Sequence, residues 1–85
     1  MTDEQLTADV REVVKQYAGI SADADVIAAD ADLYASGMTS FASVEVMLGL
    51  EERFAIEFPL DLVKRGTFLS ISAMADAVVE IRSRT

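Results

Sequence analysis

The side chains that could do chemistry in this sequence are few, because it contains no histidine and no cysteine. Their absence removes the commonest general base, the thiolate nucleophile and the usual nitrogen and sulfur metal ligands. Glu51 and Glu52 are neighbours on a predicted helix and point about 100° apart, so they cannot flank one substrate bond. No catalytic pair stands out, and we expect that the protein is not an enzyme.

Four aspartates between positions 23 and 32 form the remaining cluster of possible ligands. Carboxylate oxygens suit hard cations such as calcium. A calcium loop of the EF-hand type needs acids at alternate positions, a glycine at the sixth and a glutamate at the twelfth, whereas apolar residues interrupt the acids here. We therefore interpret the cluster as part of a solvated loop and expect no metal. Its members are Asp23, Asp25, Asp30 and Asp32.

Ser40 is distinguished by its place in Gly37-Met38-Thr39-Ser40-Phe41, immediately before a helical pattern of apolar residues. A phosphate esterified to its hydroxyl would lie where free backbone N–H groups and the positive end of the helix dipole favour it. A serine in this place also serves as a plain helix cap. The residues alone leave both roles open.

Size and charge restrict the function classes further. With 85 residues and a mass of 9.2 kDa, the chain suffices for one domain spanning 1–85, and its 52% hydrophobic content predicts a folded protein. A net charge of -8 disfavours nucleic acid and anionic membranes as ligands. We expect a monomer whose partners present basic surfaces.

The start of the sequence, Met1-Thr2-Asp3-Glu4, is acidic where a secretory signal is basic. Uncharged runs stop short of the roughly 18 residues that a membrane-spanning helix needs. We therefore expect a cytoplasmic location.

Two amphipathic segments predict the helices on either side of a long loop. Thr2 and Gln5 suit a capping box, apolar residues follow at helical spacing, and Gly19 suits the stop of this first helix. A second helix is predicted from Thr39 to Phe54, and its start would present Ser40. The loop between them, residues 20–38, is long enough to be ordered. The apolar residues that could tie it to a core are Ile20, Val26, Ile27, Leu33 and Tyr34.

The rest of the chain completes an all-α pattern. Leu60 to Arg65 predicts a short helix of one or two turns ended by Gly66. Ser70 or Ser72 would cap a last amphipathic helix. We therefore expect a small four-helix bundle of three main helices and one short helix.

The second predicted helix carries two apolar stripes when it is placed on a helical wheel. The core stripe consists of Val46, Met47, Leu50 and Phe54. The opposite stripe consists of Phe41, Val44 and Leu48, and Glu45 and Glu52 border it. Either the long loop folds over this second stripe and makes it core, or the stripe is an exposed docking surface with an acidic rim.

The stretch from Asp32 to Pro59 resembles the acyl carrier protein and peptidyl carrier protein family. The resemblance rests on a leucine four residues before a glycine, a helix-opening serine, Val-Glu-Val-Met, Leu-Glu-Glu and an Ile-Glu-Phe-Pro exit. The run Gly-Met-Thr-Ser-Phe-Ala-Ser-Val is also similar to stand-alone bacterial carrier proteins that receive an amino acid from ligases related to class II aminoacyl-tRNA synthetases.

This resemblance implies that Ser40 receives a 4′-phosphopantetheine arm from coenzyme A, whose thiol holds an acyl or aminoacyl cargo as a thioester. The implied partners are a phosphopantetheinyl transferase, an acyl- or aminoacyl-loading ligase and downstream transferases. In this family partner enzymes read the second helix. The residues that inherit this recognition role are Phe41, Val44, Glu45, Leu48 and Glu52.

The sequence departs from the family pattern next to the attachment serine. Thr39-Ser40-Phe41 replaces the usual Asp-Ser-Leu, which keeps a capping side chain but removes a negative charge, and Arg53 stands where an acid is common. We interpret these changes as those of a specialised carrier. The alternative is an unmodified helical protein–protein interaction module with the same fold, in which Ser40 only caps its helix.

Overall fold

The computed structural model describes residues 3–20 and 23–84, and this part of the chain is helical with no β-strand. The three main helices are α1 (Asp3–Tyr17), α2 (Ser40–Phe54) and α3 (Ile71–Ser83). The predicted fourth helix is replaced by two 3-10 turns, Leu60–Leu62 and Arg65–Phe68. The all-α prediction is confirmed. The predicted cap at Thr2 lies outside the described residues.

The three helices share one hydrophobic core, which they build from the predicted apolar stripes. α1 packs against both α2 and α3, so it is the element that joins the bundle. Burial of these aliphatic side chains is the main favourable term in the folding of the domain. The fully buried large side chains are Val10, Val14, Leu33, Val46, Leu50, Ile71, Met74 and Val78.

α1 and α2 approach each other closely at Gly49, which the sequence analysis did not single out. A methyl group at this position would lie 2.7 Å from Cε2 of Tyr17 and 2.9 Å from Cγ1 of Val13. Both distances are shorter than a normal carbon–carbon contact. The absence of a side chain at Gly49 therefore sets the spacing between the two helices.

We expect Gly49→Ala to lower the free energy of unfolding by about 1–2 kcal/mol. Overpacking a core costs about 1–3 kcal/mol, and the better helix propensity of alanine offsets up to about 1 kcal/mol of that cost. Urea unfolding measures the change. Gly66→Ala is the matched control, since nothing lies within 4 Å of a methyl group there. Equal stability of the two variants would contradict this account of the helix contact.

The loop between α1 and α2 is held by apolar side chains that pack on the core, as predicted for Ile20, Ile27, Leu33 and Tyr34, and by polar contacts to its backbone. The guanidinium of Arg11 donates to the carbonyls of Ala24 and Ile27 at 2.8 and 2.6 Å. Leu33 is fully buried and its backbone N–H donates to the carbonyl of Leu69 at 2.8 Å. Val26 was predicted to be an apolar anchor, and this is wrong because its side chain is 79% exposed. The Arg11 hydrogen bonds hold this part of the loop without burying Val26.

The segment between α2 and α3 is also held at both ends. Arg84 donates to both carboxylate oxygens of Asp61, at 3.1 and 2.9 Å, and this hydrogen bonding lowers the pKa of Asp61. Ser70 caps α3 by accepting from the N–H of Ala73, as predicted. Gly66 does not end a helix, because it lies inside the second 3-10 turn. Within the described residues, no helix is both long enough and apolar enough to cross a membrane.

Candidate functional site

At the start of α2, the N-cap residue is Thr39 and not Ser40. Thr39 has extended backbone angles, and its Oγ1 accepts a hydrogen bond from the N–H of Ala42 at 3.0 Å. Ser40 is the first helical residue and is exposed. Its carbonyl accepts from the hydroxyl of Ser43 at 2.7 Å, while its own hydroxyl is not needed as a cap. The interpretation of Ser40 as a plain cap is therefore wrong.

The turn before Ser40 is anchored in the core, so the serine has a defined position. Met38 is buried, and its N–H donates to the carbonyl of Leu33 at 3.0 Å. Gly37 has a φ of 114°, which residues with a side chain rarely adopt. Burial of Met38 and Leu33 on one side and the Thr39 cap on the other hold the Ser40 hydroxyl at the head of an ordered helix.

The second apolar stripe of α2 is exposed. Phe41, Val44 and Leu48 retain 75%, 49% and 55% of their accessible surface, so the long loop does not cover them. The interpretation of this stripe as core is therefore wrong. Glu45 and Glu52 are also exposed on α2. An exposed apolar stripe with acidic neighbours on one helix is typical of an interaction surface.

Two other charged residues of α2 have structural roles. Glu51 is half-buried, and its Oε2 accepts from the backbone N–H of Phe58 at 2.9 Å. Arg53, which departs from the family pattern, forms an ion pair with Asp9 of α1 at 2.7 Å. Glu51 therefore has a structural role, whereas the neighbouring Glu52 is exposed to solvent.

A cleft of about 250 Å³ opens beside Ser40, between α2 and the segment that contains the 3-10 turns. The sequence did not predict this cleft, and Lys64 and Arg65 were not among the predicted site residues because they are far from Ser40 in the chain. Its walls include residues from the loop, from α2, from the second 3-10 turn and from the two residues before that turn. The lining residues are Tyr34, Ser40, Ser43, Val44, Met47, Val63, Lys64, Arg65 and Phe68.

Three aspartates of the long loop contact the loop backbone or α1. Asp23 accepts from the N–H of Asp25, Asp25 pairs with Lys15 at 3.1 Å, and Asp32 accepts from the N–H of Ala35. Over residues 3–20 and 23–84, no three potential acidic ligands come together in a group that could hold a metal ion.

The arrangement around Ser40 suits attachment of a group more than catalysis. The cleft lining contains no carboxylate, and the sequence has no histidine, so nothing in the lining would act as an ordinary general base. The hydroxyl is exposed, ordered and free of a capping role. Such a helical bundle, with an available hydroxyl at the head of an exposed helix, has the features of a carrier for a covalently attached group.

Comparison with known proteins also indicates a carrier protein. Residues 8–78 match the family model described as a phosphopantetheine attachment site. The chain belongs to this family, and it is a non-catalytic carrier protein whose cofactor is covalently attached 4′-phosphopantetheine.

Individual relatives are carrier proteins of a more specific kind. The chain is 48% identical over 73 residues to an aminoacyl carrier protein of Agrobacterium fabrum (strain C58), which covers 86% of this chain and 88% of that protein. It is also similar to the carrier in a crystal structure of an engineered Bradyrhizobium japonicum glycine:[carrier protein] ligase complexed with a carrier protein from Agrobacterium tumefaciens and AMP. That match has a TM-score of 0.83 and 48% identity, over 86% of this chain and 97% of the other.

A second crystal structure and a solution structure are also similar to this chain. The corresponding ligase complex with ATP matches with a TM-score of 0.86 and 47% identity, over 89% of this chain and 99% of the other. A solution structure from Agrobacterium tumefaciens matches with a TM-score of 0.71 and 47% identity, over 91% and 93% of the two chains. The predicted membership of the carrier family is confirmed.

Proposed function

We propose that Ser40 is the attachment residue and that the arm carries an amino acid, loaded by a ligase that docks on α2. The observation that supports Ser40 most directly is the hydrogen bond from Ala42 to Thr39 at 3.0 Å. Because Thr39 caps the helix, the neighbouring Ser40 hydroxyl can be esterified without loss of a structural contact. The amino acid as cargo is supported by the names of the relatives.

The attachment step needs a partner enzyme. In this step Ser40 Oγ forms a bond to the phosphorus that carries the pantetheine in coenzyme A. The phosphoanhydride bond of coenzyme A breaks, and adenosine 3′,5′-bisphosphate leaves. The hydroxyl proton passes to a base of the transferase, since the cleft lining offers no carboxylate or imidazole. The chain contributes the position of the hydroxyl and the positive end of the α2 dipole, which favours the bound phosphate.

The surface that we propose for docking is the exposed stripe Phe41, Val44 and Leu48 with the acidic residues Glu45 and Glu52. Apolar side chains at the centre of an interface supply most of its binding energy, while charges at its rim steer association. The net charge of -8 makes an enzyme with a basic docking surface the complementary partner. The transferase, the loading ligase and the downstream transferases would all use this surface.

The proposed function is tested by mass spectrometry in two steps. Incubation with coenzyme A and a broad-specificity phosphopantetheinyl transferase should add one phosphopantetheinyl group, and fragmentation should locate it on Ser40. A glycine:[carrier protein] ligase with ATP and glycine should then add one glycyl group that hydroxylamine removes, as expected of a thioester. An arm located on another serine would contradict the assignment of Ser40. An arm on Ser40 that ligases load only with acyl groups would contradict the amino acid as cargo.

A further inference from the structure

The cleft beside Ser40 is lined by two basic residues and by no acidic residue, in a strongly acidic protein. Lys64 and Arg65 belong to its lining, whereas the chain as a whole has a net charge of -8. A cleft between α1 and α3, in contrast, is lined by Asp76 and Glu80 and by no basic residue. The two bases beside Ser40 therefore create a local field opposite to that of the whole molecule.

Arg65 is held in place at the cleft by Tyr34. Its guanidinium carbon lies 3.8 Å from the centre of the Tyr34 ring, and the Tyr34 hydroxyl donates to the Arg65 carbonyl at 3.4 Å. A guanidinium that stacks on an aromatic ring through its face keeps the N–H groups of its edge available for an acceptor. This arrangement prepares Arg65 to bind a phosphate.

Lys64 is exposed, and the carboxylate of Asp61, which it influences, is hydrogen-bonded to Arg84. Lys64 lies close enough to Asp61 to contribute to the lowered pKa of that carboxyl, although the Arg84 hydrogen bond is the larger cause. Both oxygens of Asp61 accept from Arg84 at 3.1 and 2.9 Å. None of the ion pairs found among the described residues includes Lys64. Lys64 also lines a neighbouring cleft with Asp76 and Glu80 but forms an ion pair with neither, so its ammonium is available to a phosphate beside Ser40.

Ser40 lines the same cleft as these two basic residues, so a phosphate attached to Ser40 would lie near them. In the attached arm the phosphorus is bonded directly to Ser40 Oγ, so the phosphodiester cannot leave this wall of the cleft. The first turn of α2 contains no acidic residue that would oppose it. Charge-assisted hydrogen bonds from lysine and arginine to a phosphate are among the stronger polar contacts in proteins.

We propose that Lys64 and Arg65 bind the phosphodiester of the arm on Ser40 and give the arm a resting position against the cleft. This inference rests on the proposed attachment at Ser40. A docked partner that presents its own bases to the phosphate would compete with Lys64 and Arg65 and release the arm. The two residues are positioning residues, because the chemistry of loading belongs to the partner enzymes.

The test uses the holo-protein and observes the arm directly. We expect the ³¹P resonance of the wild-type phosphodiester to be broader than that of Lys64→Met and Arg65→Met and to differ from both in chemical shift. Raising the salt concentration should move the wild-type resonance towards those of the variants, because salt screens exposed charge pairs. Lys15→Met is the matched control, since it removes one positive charge from a residue that pairs with Asp25 and does not line the cleft.

A spin label gives a second readout that does not depend on loading activity. The sequence has no cysteine, so the thiol of the arm is the only site for a thiol-specific nitroxide. The label should broaden backbone amides of residues 63–68 in the wild type, and this broadening should fall at least two-fold in Lys64→Met and Arg65→Met but not in Lys15→Met. Lys64→Met keeps the test valid if loss of the Tyr34 contact disturbs the fold of Arg65→Met.

Identical ³¹P resonances and identical broadening in the wild type and both cleft variants would overturn the inference. In that case an intact mass with the arm on Ser40 would leave the proposed function standing. A protein that accepts no arm at Ser40 would overturn both proposals. Equal changes in Lys15→Met would show a general effect of net charge and would also overturn the role of the cleft bases.

Discussion

Ser40→Ala should abolish attachment of the arm while the protein stays folded. The hydroxyl of Ser40 is exposed at the first position of α2 and is not the cap of the helix. Alanine has the best helix propensity, so we expect the free energy of unfolding to change by no more than about 0.5 kcal/mol. Intact mass spectrometry after incubation with coenzyme A and a transferase should show no added group, and subsequent loading by a ligase should be lost completely.

Thr39→Ala is the matched control, and we expect the opposite pattern. It removes the oxygen that accepts from the N–H of Ala42 at 3.0 Å. Loss of a threonine N-cap costs about 1 kcal/mol of stability, which urea unfolding would detect. The arm should still attach, because the Ser40 hydroxyl is unchanged. Arm attachment that survives Ser40→Ala, or equal destabilisation by both substitutions, would contradict the division of roles between the two neighbouring residues.

Leu48→Glu should prevent productive docking of the loading ligase. The Leu48 side chain is 55% exposed, so the substitution should change the stability of the free protein little. In a complex, the glutamate would have to lose its water or push the apolar surfaces apart. A central interface residue contributes about 2–3 kcal/mol, so we expect kcat/KM for ligase loading of the holo-protein to fall roughly 30- to 160-fold.

The control for Leu48→Glu is Val79→Glu. Val79 is 46% exposed on α3, so the substitution adds the same charge to a similarly exposed apolar position outside the proposed docking surface. Loading of this variant should match that of the wild type. If both variants lost activity equally, the cause would be the added charge. If neither lost activity, α2 would not be the docking surface.

Much of the site could be predicted because it lies on one continuous helix. Residues three or four positions apart share a helix face, so the spacing of Phe41, Val44 and Leu48 was sufficient to place them opposite the core stripe. Ser40 was identifiable because helix starts have a recognisable composition. The same local rules did not decide between Thr39 and Ser40 as the cap, since both side chains suit that role. Backbone angles and the hydrogen bond to Ala42 decided it.

The failures arose where contacts join distant parts of the chain. The exposure of Val26 depends on how the loop is held, and Arg11 holds it through backbone carbonyls that have no sequence signature. The close approach at Gly49 likewise depends on Tyr17 and Val13 of another helix. Local periodicity contains no information about such pairs, because the partners are brought together only by packing.

The sequence by itself determined the helical class, the core stripe of α2, the second stripe opposite it and the serine at the head of that helix. These features follow from local spacing and from the residues that begin and end helices, while the lack of histidine and cysteine limited the possible chemistry. Only the tertiary structure decided that the second stripe stays exposed and that Lys64 and Arg65 stand beside Ser40. The physical reason is that exposure and charge clustering are properties of the packed surface, and they depend on which distant segments the core brings together.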